Sequence, residues 1–137
     1  MTLPAMNTAE LIRAYFDAFN RHDAEAMIHL LDENVAHDIN EGGREVGKDA
    51  FRKFKAHMDN CYREHISDLV VMVSKDGSRG TAEFTCSGEY LKTDGNLPEA
   101  RGQKYAIPAA AIFESANGKI TRITSYYSLK GWIEAIS

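Results

Sequence analysis

The chain is poor in the residues that mark several common protein classes. Only two cysteines, Cys61 and Cys86, occur among 137 residues. Without paired spacing they suggest neither a disulfide framework nor a zinc motif, and two reduced, packed thiols in a cytoplasmic protein are expected. Prolines number three and no low-complexity tract occurs, so no linker is apparent and one domain over residues 1–137 is expected. Positive charge is limited, with 16 Lys and Arg against 20 Asp and Glu. No basic cluster suits nucleic acid. The longest apolar run, Ile107 to Phe113, is far below the ~20 residues of a membrane span. Met1 to Met6 lacks a basic segment followed by an apolar run, so no signal peptide is expected. The glycines form neither a dinucleotide fingerprint nor a phosphate loop. His22, His29, His57 and His65 have no ligand spacing with one another, so neither metal nor cofactor is expected.

What the chain does have is clear periodicity. Asn7 and Glu10 make a capping box, and Leu11, Ile12, Tyr15, Phe16 and Phe19 follow at helical spacing. Asp23 can cap a second helix that buries Met27, Leu30 and Leu31, and Asp32-Glu33-Asn34 breaks it. A short strand, Val35 to Asn40, leads to a turn at Gly42-Gly43. A third helix after Gly47 carries Phe51, Phe54, Met58, Cys61 and Tyr62 on one stripe. From Ile66 the period becomes that of strands. Ile66 to Ser74 turns at Asp76-Gly77-Ser78 into Arg79 to Leu91, which places Phe84, Cys86, Gly88 and Tyr90 on one face. Lys92 to Gly102 is a polar loop. Tyr105 to Ser115 and Lys119 to Ser128 form a hairpin about Asn117-Gly118, and a tail with Trp132 and Ile133 packs back on the body. Helices followed by a meander predict an α+β fold with the helices on one sheet face.

Two residues carry the functional reading. Tyr15 sits on the buried stripe of the first helix. Asp38 alternates with His37, and a carboxylate and a phenol aimed into one apolar pocket would make a proton-transfer site. Asp38 is taken as the inward member, which leaves His37 facing the other way in a structural or interfacial role.

The order of elements and several motifs resemble the NTF2-like superfamily, and within it the ketosteroid isomerase-related, SnoaL-like group. The resemblance implies a cone: three N-terminal helices packed on a strongly curved, mostly antiparallel sheet that encloses an apolar pocket. Tyr15, in Ile12-Arg13-Ala14-Tyr15-Phe16, falls where isomerases place their oxyanion donor, and Asp38 where they place the proton-shuttling aspartate. Phe54, the stretch Phe84-Thr85-Cys86-Ser87-Gly88-Glu89-Tyr90, and Tyr127 match pocket-lining positions. Phe16, Phe54, Phe84, Cys86, Gly88, Tyr90, Tyr105 and Tyr127 are thus the expected substrate contacts. Isomerases carry a second acid where this chain reads Ile107-Pro108-Ala109-Ala110-Ala111-Ile112, which argues against steroid Δ-isomerase activity. Tyr105, Tyr90 or Cys86 is left to replace that donor.

The activity this implies is a cofactor-free isomerase or cyclase in which Asp38 moves a proton on a hydrophobic carbonyl compound while Tyr15 holds the oxyanion. The alternatives are a non-catalytic protein binding an apolar metabolite and a dimeric association module. Ala106, Ala110 and Ile112 on the uncovered sheet face predict a homodimer.

Overall fold

The computed structural model describes residues 5–137. Residues 1–4, most of the segment weighed as a leader, lie outside it. Helix α1 (Thr8–Asn20) forms on the expected box: the Asn7 side chain accepts from the Glu10 N–H at 2.9 Å, and Glu10 accepts from the Asn7 N–H at 3.0 Å. These bonds satisfy donors that a helix start leaves unpaired. At the other end the Asn20 amide bonds both the N–H and the C=O of Ile66, fixing where α1 meets the sheet. Helix α2 (Ala24–His29) starts at Asp23, whose carboxylate accepts from the Ala26 N–H.

Strand β1 (Leu31–Asp38) starts four residues before the expected point. Asp32-Glu33-Asn34 does not precede the strand but bulges from it. Leu31 pairs with Ile120 and Ala36 with Arg122, so four residues of β1 lie opposite one of the partner strand. Three of them, Asp32, Glu33 and Asn34, are polar, with Glu33 and Asn34 exposed, where a bulge costs least, while Val35 returns to the core. An unexpected edge strand, β2 (Arg44–Val46), pairs with the end of β1.

Helix α3 (Lys48–Cys61) runs without a loop into β3 (Tyr62–Val73). Tyr62, expected to end the helical stripe, takes extended dihedrals and pairs with Tyr90. Strands β4 (Arg79–Tyr90), β5 (Lys104–Ala116) and β6 (Lys119–Tyr127) complete the sheet. The three N-terminal helices are joined by a fourth, α4 (Leu129–Ala135), where only a packed tail was expected. Ser128 caps it by accepting from the Gly131 N–H at 2.9 Å.

The six strands lie in the order β2-β1-β6-β5-β4-β3, antiparallel except for the β1–β6 pair. The sheet is curved and does not close. Its inner face carries Ala82, Ala111, Phe113 and Ile123 against Leu11, Ile12 and Phe16 of α1. A second buried cluster gathers Tyr62, Tyr90, Tyr105 and Trp132 under α4, with Tyr62 stacked on Tyr90 at 5.4 Å. No described helix is long and apolar enough to cross a membrane.

Candidate functional site

Between the helices and the concave face lies a cavity of about 510 Å³, within the size range of small-molecule sites. Of the residues expected to meet a substrate, Phe16, Phe54, Phe84, Cys86 and Tyr127 line it, as does Tyr15. The Tyr15 ring packs edge-on to Phe113 and Phe51, at 5.4 and 6.5 Å between centroids. Burial raises its phenol well above the usual range, so it is a neutral hydroxyl at any working pH.

The expected convergence of Asp38 with Tyr15 does not occur. Asp38 projects from the opposite face of the sheet and lines none of the cavity. Arg44 grips it twice, Nε to Oδ1 at 2.7 Å and Nη2 to Oδ2 at 3.1 Å, and the Thr124 hydroxyl donates to Oδ2 at 2.6 Å. These hydrogen bonds, Arg44 first and Thr124 next, hold its carboxyl at about 2. A carboxylate so stabilised is a poor base. It belongs to a run of ion pairs along the outer surface, in which Arg122 also meets Glu114 at 3.2 Å and Glu114 meets Arg79 at 2.7 Å.

The pleat that turns Asp38 out turns His37 in. His37 pairs with Ile123 of the inner face, is 4% exposed, and sets its ring edgewise to Phe54 and Phe51 at 4.6 and 5.2 Å. Burial lowers its pKa, against a smaller opposing pull from Glu45 and Asp38, so the imidazole is neutral at pH 7. Its Nδ1 is buried without a partner among the described residues. The signal was present in the sequence: Val35, His37 and Ile39 form the more apolar of the two alternating faces.

Asn40 supplies a second orphan. Its Oδ1 accepts the Tyr127 N–H at 3.1 Å, which fixes the amide orientation and leaves Nδ2 as a buried donor with no partner among the described residues. Both His37 and Asn40 line the cavity. Buried polar groups are ordinarily paired, so these two atoms are available to a polar partner within the cavity.

Three expected contacts lie behind the wall instead of on it. Tyr90 is wholly buried in the aromatic cluster, where its hydroxyl donates to the Pro98 carbonyl and accepts from the Asp94 N–H. Tyr105 donates to Glu64 at 2.6 Å, and it is Glu64 that faces the cavity. Gly88 leaves room for the Tyr105 ring: a Cβ there would stand 2.5 Å from the hydroxyl oxygen. At the rim, Asp94 accepts from the Tyr62 hydroxyl at 2.6 Å and lies 2.7 Å from Nε2 of His57. Burial first, and then that bond to Asp94, raise the pKa of Tyr62. The sequence assigns none of these rim residues a role: its spacing sets His57 aside as a metal ligand, puts Tyr62 on a helical stripe and Asp94 in a polar loop.

A helix-covered, curved sheet around a cavity defines an NTF2-like α+β protein. The profile of the SnoaL-like domain matches residues 12–123, and the chain belongs to that family. It is similar to three solved structures of candidate polyketide cyclases. The one from Pseudomonas putida KT2440 is 49% identical with a TM-score of 0.94, covering 96% of this chain and 99% of that one. That from Xanthomonas campestris pv. campestris is 46% identical, TM-score 0.91, covering 94% and 96%. That from Silicibacter sp. TM1040 is 46% identical, TM-score 0.93, covering 99% of each. No match to a curated protein was found.

Proposed function

We propose that this protein is an isomerase- or cyclase-type enzyme that moves a proton on a hydrophobic carbonyl compound held in the cavity. The observation that carries the proposal is the pair of buried, unpartnered polar groups, His37 and Asn40, on the wall of a cavity that Tyr15, Phe16, Phe51, Phe54 and Phe84 also line. His37 takes the role that the sequence reading assigned to Asp38. A neutral imidazole kept dry can accept a proton from carbon next to a carbonyl and return it elsewhere. The Asn40 amide and the Tyr15 hydroxyl suit the oxygen on which charge develops, because fixed donors stabilise the enolate more than the ketone. The similarity to candidate polyketide cyclases fits this class, since ring closure of a polyketide also begins by enolising a carbonyl.

The test is hydrogen–deuterium exchange into a panel of enolisable ketones and β-dicarbonyls, followed by NMR. His37→Gln should lower exchange about 10²–10⁴-fold, and Tyr15→Phe should also lower it. Asp38→Asn should retain it. Loss of exchange in Asp38→Asn with His37→Gln unaffected would return the chemistry to the aspartate and refute the proposal.

One observation favours a binding role instead. The carboxylates that line the cavity are all engaged, Glu64 and Asp94 by tyrosines and Asp59 by Lys55 at 2.7 Å, so no unpaired acid among the described residues faces the ligand. A compound recovered unchanged from the purified protein, with no exchange on any panel member, would support that reading. We also propose that two copies associate through the outer sheet face. Val70, Met72 and Tyr126 stand 49%, 55% and 53% exposed there, beside Ala110 and Ile112 of β5.

A further inference from the structure

The cavity rim holds a second constellation that the proton-transfer reading does not use. His57 and Cys61 lie one turn apart on the last part of α3, and Asp94 reaches them from the loop after β4. Cys61 Sγ is 4.0 Å from His57 Nε2, and Asp94 Oδ1 is 2.7 Å from the same nitrogen. One ligand atom from each residue falls within 4.8 Å of the other two.

A thiol–imidazole–carboxylate set invites reading as a nucleophile with its base. That arrangement needs the thiol and the carboxylate on opposite ring nitrogens, so that the acid orients the imidazole while the other nitrogen takes the proton. Here both meet Nε2. Convergence of three donor atoms on one point is the geometry of a cation site. We infer that His57, Cys61 and Asp94 bind one divalent cation of the zinc type, with the fourth position turned to the cavity.

The geometry needs little adjustment. Tetrahedral zinc bonds of about 2.0–2.3 Å separate nitrogen from oxygen by about 3.4 Å and nitrogen from sulfur by about 3.6 Å. The distances of 2.7 and 4.0 Å bracket those values, and the sulfur lies no more than 4.8 Å from the carboxylate oxygen, so side-chain movements of ~1 Å bring the three atoms to tetrahedral separations. The ligand charges also balance: thiolate and carboxylate cancel the two charges of the ion, and the thiol proton leaves to solvent on binding. Nearby Lys92 is held on Asn60 at 3.1 Å.

The carboxylate already has the outer support such sites require. Tyr62 donates to its second oxygen, and Tyr90 accepts the Asp94 N–H, so the ligand is held in place before any ion arrives. His57 and Asp94 line the cavity, and His57 is half exposed, so the ion has both an entry path and an open side. The expectation of no metal came from comparing histidines with one another. This set takes a single histidine and draws its third member from a loop 33 positions beyond Cys61.

The test is direct binding, which stands whether or not the chain enolises a ketone. The metal-free protein is titrated with cobalt(II) and then zinc(II), and a thiolate-to-cobalt charge-transfer band is followed by absorbance. One equivalent should produce the band and zinc should abolish it. Cys61→Ser should remove the band, and His57→Ala and Asp94→Asn should weaken binding. Tyr62→Phe keeps every ligand and should weaken binding about 10–100-fold, which separates outer support from misfolding. Absence of the band in folded wild-type protein overturns the inference, as does cobalt affinity unchanged by loss of Cys61 and His57.

Discussion

Replacing Gly88 with alanine tests how tightly the wall behind the cavity is built. Gly88 pairs with Tyr105 across β4 and β5. An added Cβ would stand 2.5 Å from the Tyr105 hydroxyl oxygen, 2.6 Å from the ring carbon bearing it, and 2.9 Å from Cγ of Glu64. The ring has nowhere to go, because Tyr105 is 6% exposed and packs edge-on to Trp132 at 5.8 Å. Overpacking of this kind costs about 1–3 kcal/mol. Displacing the hydroxyl from Glu64 forfeits a hydrogen bond to a charged group worth about 1.5–3 kcal/mol. Alanine recovers about 0.5–1 kcal/mol by restricting the unfolded chain, so a net loss of about 2–5 kcal/mol is expected. Denaturant unfolding of Gly88→Ala, Tyr105→Phe and the double variant measures it. Removing the hydroxyl relieves part of the clash, so the double variant should lose less than the sum of the single changes. A wild-type midpoint for Gly88→Ala refutes the packing argument, and additivity within ~0.5 kcal/mol refutes the coupling.

Two other outcomes follow from the structure. Because burial lowers the pKa of His37 on folding, the unfolded chain binds the extra proton more readily. That contribution to stability is complete above the ordinary histidine value of 6.5 and declines as pH falls through it, by at most about 1.4 kcal/mol per pH unit. Unfolding of wild type and His37→Leu between neutral and mildly acidic pH measures this, and equal acid slopes would contradict it. On the outer face, Met72→Lys with Tyr126→Lys should convert a dimer to a monomer in light scattering without changing the far-ultraviolet spectrum. A wild-type chain that is already monomeric at micromolar concentration would dismiss the interface.

Much of the architecture was legible because it rests on local chemistry. The capping box at Asn7 and Glu10, the stripe of α1, the alternation of β4 and the Asn117-Gly118 turn each name their element without reference to the rest of the chain. What escaped depends on distant partners. The bulge at Asp32–Asn34 is defined by the pairing of β1 with β6, which lies some 90 residues away in sequence and is invisible from the segment itself. Tyr62 keeps helical spacing with Met58 yet pairs with Tyr90, since the strand it opens outweighs one more turn of helix.

The site turned on parity. A strand has two faces related by a one-residue step, and the wrong choice exchanges every inward side chain for an outward one. Resemblance to isomerases favoured Asp38. The segment's own apolar side, Val35 and Ile39, favoured His37, and the structure follows the local hydrophobicity. The rim cluster escaped for another reason: His57 and Asp94 stand 37 positions apart, and only the return of the chain past β4 brings them together.

The join between Cys61 and Tyr62 has no slack. One residue ends a helix and the next begins a strand, so the two elements behave as a single rigid elbow with no spacer to absorb a change in length. Inserting one residue there would turn everything upstream by about 100° around the helix axis, carrying the His57 ring off the cavity and the Phe51 ring out of the core. An added residue in the loop between β4 and β5 would impose no such rotation, and its effect would be local to the bonds that hold Asp94 and Pro98. A change of length at one border of the cavity is therefore felt locally, whereas at the other it is felt along the whole of α3.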